Sequence, residues 1–205
     1  MLDRTTLNAG NPQKDEYGFA VLERMNRSHY GLTRWGLSFT APEKAKSILD
    51  VGCGGGMTLH NFALETDALL CGADVSDASL EKTAELNAEY INSGRLKLFK
   101  SGAESLPFPE GSFDLVTAFE TVYYWRDPVK CFAGVRNILR EEGEFLICNE
   151  DRDYSRPVIT EYAEALGMNL YTAEQLGAML REAGFGDVRE YTHENGLWVC
   201  AVGVK

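Results

Sequence analysis

Ile48-Leu49-Asp50-Val51-Gly52-Cys53-Gly54-Gly55-Gly56 decides how this chain is read. An apolar run ending in a glycine cluster is a buried strand that enters a turn free of side chains, where the backbone can approach a ligand closely. Asp50 stands just before the glycines. The next apolar run, Ala68-Leu69-Leu70-Cys71-Gly72-Ala73, ends at Asp74, 20 positions after Gly54, where an acid can accept hydrogen bonds from both hydroxyls of a ribose. Nucleoside binding follows. NAD and S-adenosylmethionine both carry an adenosine, so Asp74 does not separate them. Asp50 does, because it lies where the pyrophosphate of a dinucleotide would sit, and like charges disfavour that arrangement. The same carboxylate suits the ammonium of a methionine moiety, with an attraction of roughly 4 kcal/mol at about 4 Å and effective dielectric of about 20, before desolvation is counted.

Outward from this stretch, apolar runs alternate with amphipathic segments, the mark of an α/β fold. Residues 57–64, with Met57, Leu59, Phe62 and Ala63 for one face, make the helix between the first two strands. Ser76 caps a helix whose stripe Leu80, Ala84, Asn87, Ile91 is broken only by Asn87, and Gly94 stops it. Residues 96–99 and 113–119 are the third and fourth strands. Pro128 opens a helix that Phe132, Val135 and Leu139 continue until Glu141-Glu142-Gly143, and residues 145–148 are the fifth strand. Thr172 and Gln175 form a capping box ahead of Leu176, Met179, Leu180 and Ala183, with Gly184 as terminator. Asn195-Gly196 turns between strands at 188–191 and 197–202, so the chain closes on an antiparallel pair and has seven strands. Residues 16–27 are helical. The following His29-Tyr30-Gly31-Leu32-Thr33-Arg34-Trp35-Gly36 is too rich in aromatics and glycine for an ordinary linker, so residues 1–45 are expected to form a helical cap or lid over a site carried by residues 46–205.

Composition sets the class. A chain of 205 residues with 44% hydrophobic and 25% charged side chains is one compact globular domain. Its 31 acidic against 20 basic residues give −11, which repels nucleic acid, anionic membranes and polyanionic substrates. Met1-Leu2-Asp3-Arg4 lacks the basic start and apolar run of a signal peptide, and a cytoplasmic location is expected. Cys53, Cys71, Cys131, Cys148 and Cys200 are odd in number and scattered, without a Cys-x-x-Cys pair; they read as reduced, mostly buried residues, and no metal is expected.

Over residues 46–205 the chain resembles the class I S-adenosylmethionine-dependent methyltransferases, close to the group typified by small-molecule and quinone-biosynthesis enzymes. Asp50-Val51-Gly52-Cys53-Gly54-Gly55-Gly56 matches the first motif of that family and Gly72-Ala73-Asp74-Val75-Ser76 the second, whose acid holds the ribose in relatives. Ala103-Glu104-Ser105-Leu106-Pro107-Phe108 and Phe113-Asp114-Leu115-Val116 are similar to the third motif and the strand after it, and Gly143-Glu144-Phe145 to the turn into the fifth strand. The resemblance implies a Rossmann-like, doubly wound sheet in the order 3-2-1-4-5-7-6 with strand 7 antiparallel. It implies S-adenosylmethionine as donor and S-adenosylhomocysteine as product, with Asp50, Gly52, Cys53, Gly54, Gly56, Asp74, Val75, Ser76, Gly102, Ala103, Glu104 and Phe119 as the binding set. One position departs: where the group carries an Asp that accepts from the adenine amino group, this chain has Gly102. Altered adenine contacts are expected there, from the backbone of Gly102 and Ala103 and from a neighbouring side chain or water.

Methyl transfer from a sulfonium is an in-line displacement, so the protein mainly holds donor and acceptor roughly 3 Å apart and excludes water. A base is optional, and Glu120, Tyr123, Tyr124, His29 and His193 are the candidates. Glu120-Thr121-Val122-Tyr123-Tyr124-Trp125 follows the fourth strand, at the sheet edge where open α/β folds place ligands. Trp35, Tyr123, Tyr124 and Trp125 are the expected acceptor contacts, and residues 151–170 with the first 45 residues the expected acceptor pocket. The acceptor is read as a small molecule, with protein substrates left open, and the chain as a monomer or homodimer. Two other classes stand beside this one: an NAD-dependent oxidoreductase, for which Tyr123 and Tyr124 lack a nearby Lys before Lys130, and a non-catalytic nucleoside-binding module, for which Gly102 is the argument.

Overall fold

The computed structural model describes residues 3–150 and 153–205. Its helices and strands run α1 (Arg4–Leu7), α2 (Glu16–Ser28), α3 (Tyr30–Leu37), β1 (Ser47–Val51), α4 (Met57–Glu65), β2 (Leu69–Asp74), α5 (Asp77–Leu86), α6 (Ala88–Asn92), β3 (Leu96–Lys100), β4 (Phe113–Phe119), α7 (Pro128–Ile138), β5 (Leu139–Asn149), α8 (Pro157–Leu166), α9 (Ala173–Glu182), β6 (Asp187–Thr192) and β7 (Val199–Val204). The strands form one seven-stranded sheet in the order β3-β2-β1-β4-β5-β7-β6, in which β7 is antiparallel to both neighbours and the remaining pairs are parallel. This is the order the sequence motifs imply.

Both faces of the sheet are covered, which is why β1 is buried along its whole length. Alternate residues serve opposite layers. Leu49, Val51, Val116, Phe145 and Ile147 pack with Phe132, Val135, Leu176 and Leu180 from α7 and α9. Ile48, Leu70, Leu115, Leu146 and Cys148 pack on the other side with Leu59 and Phe62 of α4 and Leu32 and Leu37 of α3. The α3 helix comes down close on the sheet through Gly36, where a Cβ would lie 2.9 Å from Cys148 Sγ. All five cysteines are free; Cys71 is half-buried and the others buried.

Two local expectations are corrected. The stripe interrupted at Asn87 is two helices, with Asn87 as the C-cap of α5 and the N-cap of α6 and no exposed surface of its own. Leu139 starts β5 instead of ending the helix before it, and Glu141-Glu142-Gly143 lies inside that eleven-residue strand. The acidic turn is absorbed as an irregularity, with Glu142 at a φ of 62° and the β4–β5 register shifting between Phe113 and Leu115. The capping box of α9 is present, with Gln175 N donating to Thr172 Oγ1 at 3.3 Å and Thr172 N to Gln175 Oε1 at 2.9 Å. Asn195-Gly196 turns the final hairpin, its Asn195 Oδ1 accepting from Leu197 N and Trp198 N.

Candidate active site

The glycine loop leaves β1 at the centre of the sheet and is fixed from three directions. Gly52 has a φ of 75°, and a Cβ there would lie 2.4 Å from Thr121 Oγ1 at the end of β4. Any L side chain would be strained and would collide. Gly56, at a φ of 79°, starts α4 under Thr83 and Asn87, and Asn87 Nδ2 donates to its carbonyl at 3.1 Å. Asn87 is therefore the polar clamp that breaks its own apolar stripe. Thr83 Oγ1 donates to the Gly54 carbonyl at 2.8 Å, and the Gly54 amide donates to Asp74 Oδ2 at 2.9 Å. Asp74 Oδ1 accepts from Ser76 N at 2.8 Å, while the Ser76 hydroxyl caps α5. From above, Asn26 Nδ2 of α2 donates to the Gly55 carbonyl at 3.0 Å.

Two buried carboxylates face this loop. Asp50 is 2% exposed and accepts from Thr117 Oγ1 at 2.7 Å. Burial pushes its carboxyl up to about 7, the Thr117 hydroxyl opposing and the charge of Asp74 adding to the shift. Asp74 is also raised by burial, against the amides of Ser76 and Gly54 that hold it down. Among the described residues no cation shifts either group. A buried anion wants a positive partner or a proton, so the donor set fits a ligand bringing an ammonium to Asp50 and hydroxyl donors to Asp74.

Around them is a cavity of about 280 Å³ at the C-terminal ends of β1, β2 and β4. Ala9, Gly10 and Pro12 lie along it. The Pro12 carbonyl accepts from Ser76 Oγ at 2.5 Å, and Gly10 sits so close to the Tyr124 ring that a Cβ would be 2.9 Å from it. The N-terminal segment thus spans the turn between β2 and α5 and the loop after β4. At the opposite end, ligand atoms of His29, Glu120 and Glu150 lie within 4.8 Å of one another. Glu120 holds a φ of 57°, its carboxylate accepting from Tyr123 Oη at 3.1 Å and from the Glu150 amide. Burial lowers His29 to about 4, with the positive charge of Arg24 adding to it. A neutral imidazole and two carboxylates at one point are suited to passing a proton or seating a cation. Burial raises Tyr123 and Tyr124 well out of the range of a phenolate at neutral pH, with the Glu120 charge adding.

Most of the expected nucleoside set meets at the cavity. Asp50, Gly52, Cys53 and Gly54 line it from β1, Asp74 and Val75 from β2, Gly102, Ala103 and Glu104 from the turn after β3, and Phe119 from β4. Gly56 and Ser76 stand behind that wall as loop and helix supports. His29, Glu120, Tyr124 and Trp125 line the cavity, whereas Tyr123 is buried behind Glu120. Trp35 and His193 lie elsewhere, packed edge-on at 5.2 Å in a cluster with Trp198 and Phe39. Their aromatic surface is used in packing α3 on the final hairpin. Of the expected acceptor segment, Asp151 and Arg152 fall outside the described residues. Its described part lines none of the cavity and instead backs the β4 loop, with Ala163 and Leu170 against Tyr123 and Asn169 N donating to the Tyr123 carbonyl at 2.8 Å. Asn26 and Ser79 also line the cavity, and the sequence offered no motif for either. No described helix is long and apolar enough to cross a membrane.

Known proteins share this architecture. The family model described as "Methyltransferase domain" matches residues 42–184. An O-methyltransferase, cnsE, from Penicillium expansum is 29% identical over 188 residues, covering 88% of this chain and 66% of its own length. A tRNA U34 carboxymethyltransferase from Photobacterium profundum is 28% identical over 158 residues, 75% of this chain and 48% of its own. The chain thus spans about half to two thirds of these relatives. The solved structure of Haemonchus contortus phosphoethanolamine N-methyltransferase 2 with phosphomonomethylethanolamine and S-adenosylhomocysteine superposes with a TM-score of 0.80 at 16% identity, over 100% of this chain and 61% of that one, a likeness of fold. With the strand order, the glycine loop and the paired acids of β1 and β2, these matches make the chain a member of the class I S-adenosylmethionine-dependent methyltransferase family.

Proposed function

We propose that this protein transfers a methyl group from S-adenosylmethionine to a small-molecule acceptor. The observation that carries the reading is the convergence of Asp50, the Gly54 loop and Asp74 on one cavity, two buried acids without a cationic partner among the described residues. S-adenosylmethionine supplies, when bound, an electrophilic methyl on a sulfonium. Asp50 would hold the ammonium of the amino-acid moiety, and Asp74 the ribose hydroxyls through the lone pairs its two backbone donors leave free. Gly52, Cys53 and Gly54 present backbone at the closest approach, and Val75, Gly102, Ala103, Glu104 and Phe119 surround the base. Gly56 and Ser76 hold the loop and α5 in place.

The acceptor would enter from the His29, Glu120 and Tyr124 side. Glu120, oriented by Tyr123, takes a proton from the acceptor as it is methylated, and neutral His29 accepts a hydrogen bond beside it. Tyr124 and Trp125 form the apolar wall. Residues 9–12 with α2 act as the lid that excludes water. A cavity of about 280 Å³ and a net charge of −11 favour a small acceptor over a nucleic acid.

The test is incubation with methyl-labelled donor and a mixed panel of phenols, amines and carboxylic acids, beside RNA. Label on an extractable small molecule, abolished by Asp74→Ala, supports the reading. Label on RNA alone would overturn the small-molecule acceptor.

A further inference from the structure

The acceptor end of the cavity is assembled from three places far apart in the chain. His29 joins α2 to α3, Glu120 follows β4 and Glu150 follows β5. One ring nitrogen and one oxygen from each carboxylate nevertheless lie within 4.8 Å of one another. Glu120 has a left-handed backbone at φ 57°, which a residue with a side chain keeps only where its surroundings hold it there. The Tyr123 hydroxyl, at 3.1 Å, and the Glu150 amide both donate to its carboxylate. Each carboxylate oxygen has two lone pairs, so these contacts leave it further accepting capacity. The His29 ring does not cap α3, and burial with the charge of Arg24 lowers it to about 4, so at neutral pH one ring nitrogen is an acceptor.

Three acceptors around one point match a group that offers three donors from one atom, and an ammonium is that group. With charge-assisted bonds of about 2.8 Å at tetrahedral angles, the acceptors of three of its hydrogens stand about 4.6 Å apart, within the observed spread. A hydroxyl brings one donor, and a carboxylate brings none and meets two negative charges. The cavity wall here is aromatic, with Tyr124, Trp125 and the half-exposed Tyr30, which also favours a cation. We infer that the methyl acceptor is a primary amine, bound as its ammonium between Glu120, Glu150 and His29. The inference rests on the donor reading above and names the class of acceptor. An ammonium has no lone pair to attack with, so Glu120 takes one of its protons and passes it to water, while Glu150 and His29 keep the other two. The freed lone pair forms the N–C bond as the S–C bond of the donor breaks with its electron pair left on sulfur, giving an N-methylammonium and S-adenosylhomocysteine.

The full chain with methyl-labelled S-adenosylmethionine is offered a panel of alkyl and arylalkyl primary amines, each beside the alcohol and the carboxylic acid of the same carbon skeleton. At least one amine is expected to exceed its matched alcohol and acid in kcat/KM by at least about tenfold, the size of one hydrogen bond to a charged group. For that amine Glu150→Gln should raise KM by at least about tenfold and leave the Kd of S-adenosylhomocysteine and the unfolding midpoint unchanged, which a merely structural role for Glu150 would not allow. A panel in which no amine is preferred, or an unchanged KM in the variant, would overturn the assignment. So would turnover that EDTA abolishes and Mn²⁺ restores, because the cluster would then seat a metal ion. In each of these cases calorimetric binding of S-adenosylhomocysteine by the same preparation leaves the donor site standing, whereas a wild type that does not bind it would overturn both.

Discussion

The backbone amide of Gly54 donates to Asp74 Oδ2 at 2.9 Å, so the tip of the glycine loop and the acid that ends β2 form one unit. Neither is positioned alone. Because Ser76 N occupies the other oxygen and Asn87 and Thr83 hold the loop carbonyls, the concave surface exists before any ligand arrives. Such preorganisation spares binding the cost of ordering a loop.

Asp50 makes donor binding depend on pH. Its carboxyl is raised to about 7 by burial, so the free protein holds a proton there in acid. An ammonium placed beside it favours the ionised form, lowers its pKa and expels that proton on binding. Affinity should therefore rise with pH up to about 7 and fall by up to about tenfold per pH unit below it. Calorimetry in buffers of different ionisation enthalpy should show nearly one proton released at about pH 5.5 and about a quarter at about pH 7.5. Asp50→Asn should remove this release.

Gly52→Ala should destabilise the fold as well as the site. The left-handed backbone and the 2.4 Å approach to Thr121 Oγ1 add to at least ~2 kcal/mol. Thermal unfolding should show a midpoint lower by roughly 4–8 °C. Gly94→Ala is the control, since its φ is also positive, at 78°, but nothing lies within 4 Å. It should lose only the conformational part, roughly 1–2 kcal/mol.

Residues 9–12 should close over a bound nucleoside. Pro12 is tied to Ser76, and Gly10 lies against Tyr124. Limited proteolysis in this segment should slow on adding S-adenosylhomocysteine, approaching the factor one plus ligand concentration over Kd. Cleavage at an unchanged rate would mean that the segment does not cover the ligand.

Glu120→Gln should lower kcat by roughly 10²–10⁴ if it takes the acceptor proton, with donor Kd unchanged. Tyr123→Phe, which removes the 3.1 Å bond orienting that carboxylate, should lower kcat less and leave the donor Kd alone. Steady-state kinetics with calorimetry separates these effects. A loss in donor affinity equal to the loss in rate would move Glu120 from the acceptor end to the donor end.

Much of this molecule is written locally. Residues 47–51 and 113–119 are mostly apolar runs, interrupted at Ser47, Asp50, Asp114 and Thr117, because both faces of the sheet are covered, and the capping box of α9 and the Asn195-Gly196 turn carry their own chemistry. The acids of β1 and β2 were legible for the same reason, since each sits at a strand end marked by its neighbours. What escaped depends on contacts far apart in sequence. Asn87 reads as a flaw in a helical stripe until Gly56 is seen beneath it. Thr117 needs the β1–β4 register to become the partner of Asp50, and Asn26 needs α2 docked on Gly55. Trp35 reads as an acceptor contact and His193 as a candidate base because residue type does not tell which face of α3 or which end of the last hairpin they occupy. Leu139 keeps helical spacing by coincidence, since β5 starts there and not at the expected Phe145.

The most direct test is calorimetric titration of the purified chain with S-adenosylmethionine, S-adenosylhomocysteine and NAD, beside Asp74→Ala. Binding of both sulfur nucleosides, none of NAD, and a loss of at least about tenfold in the variant are expected, since its charge-assisted hydrogen bonds to the ribose would be gone. A folded wild type that binds NAD but neither sulfur nucleoside, or that binds them equally well without Asp74, would contradict the account.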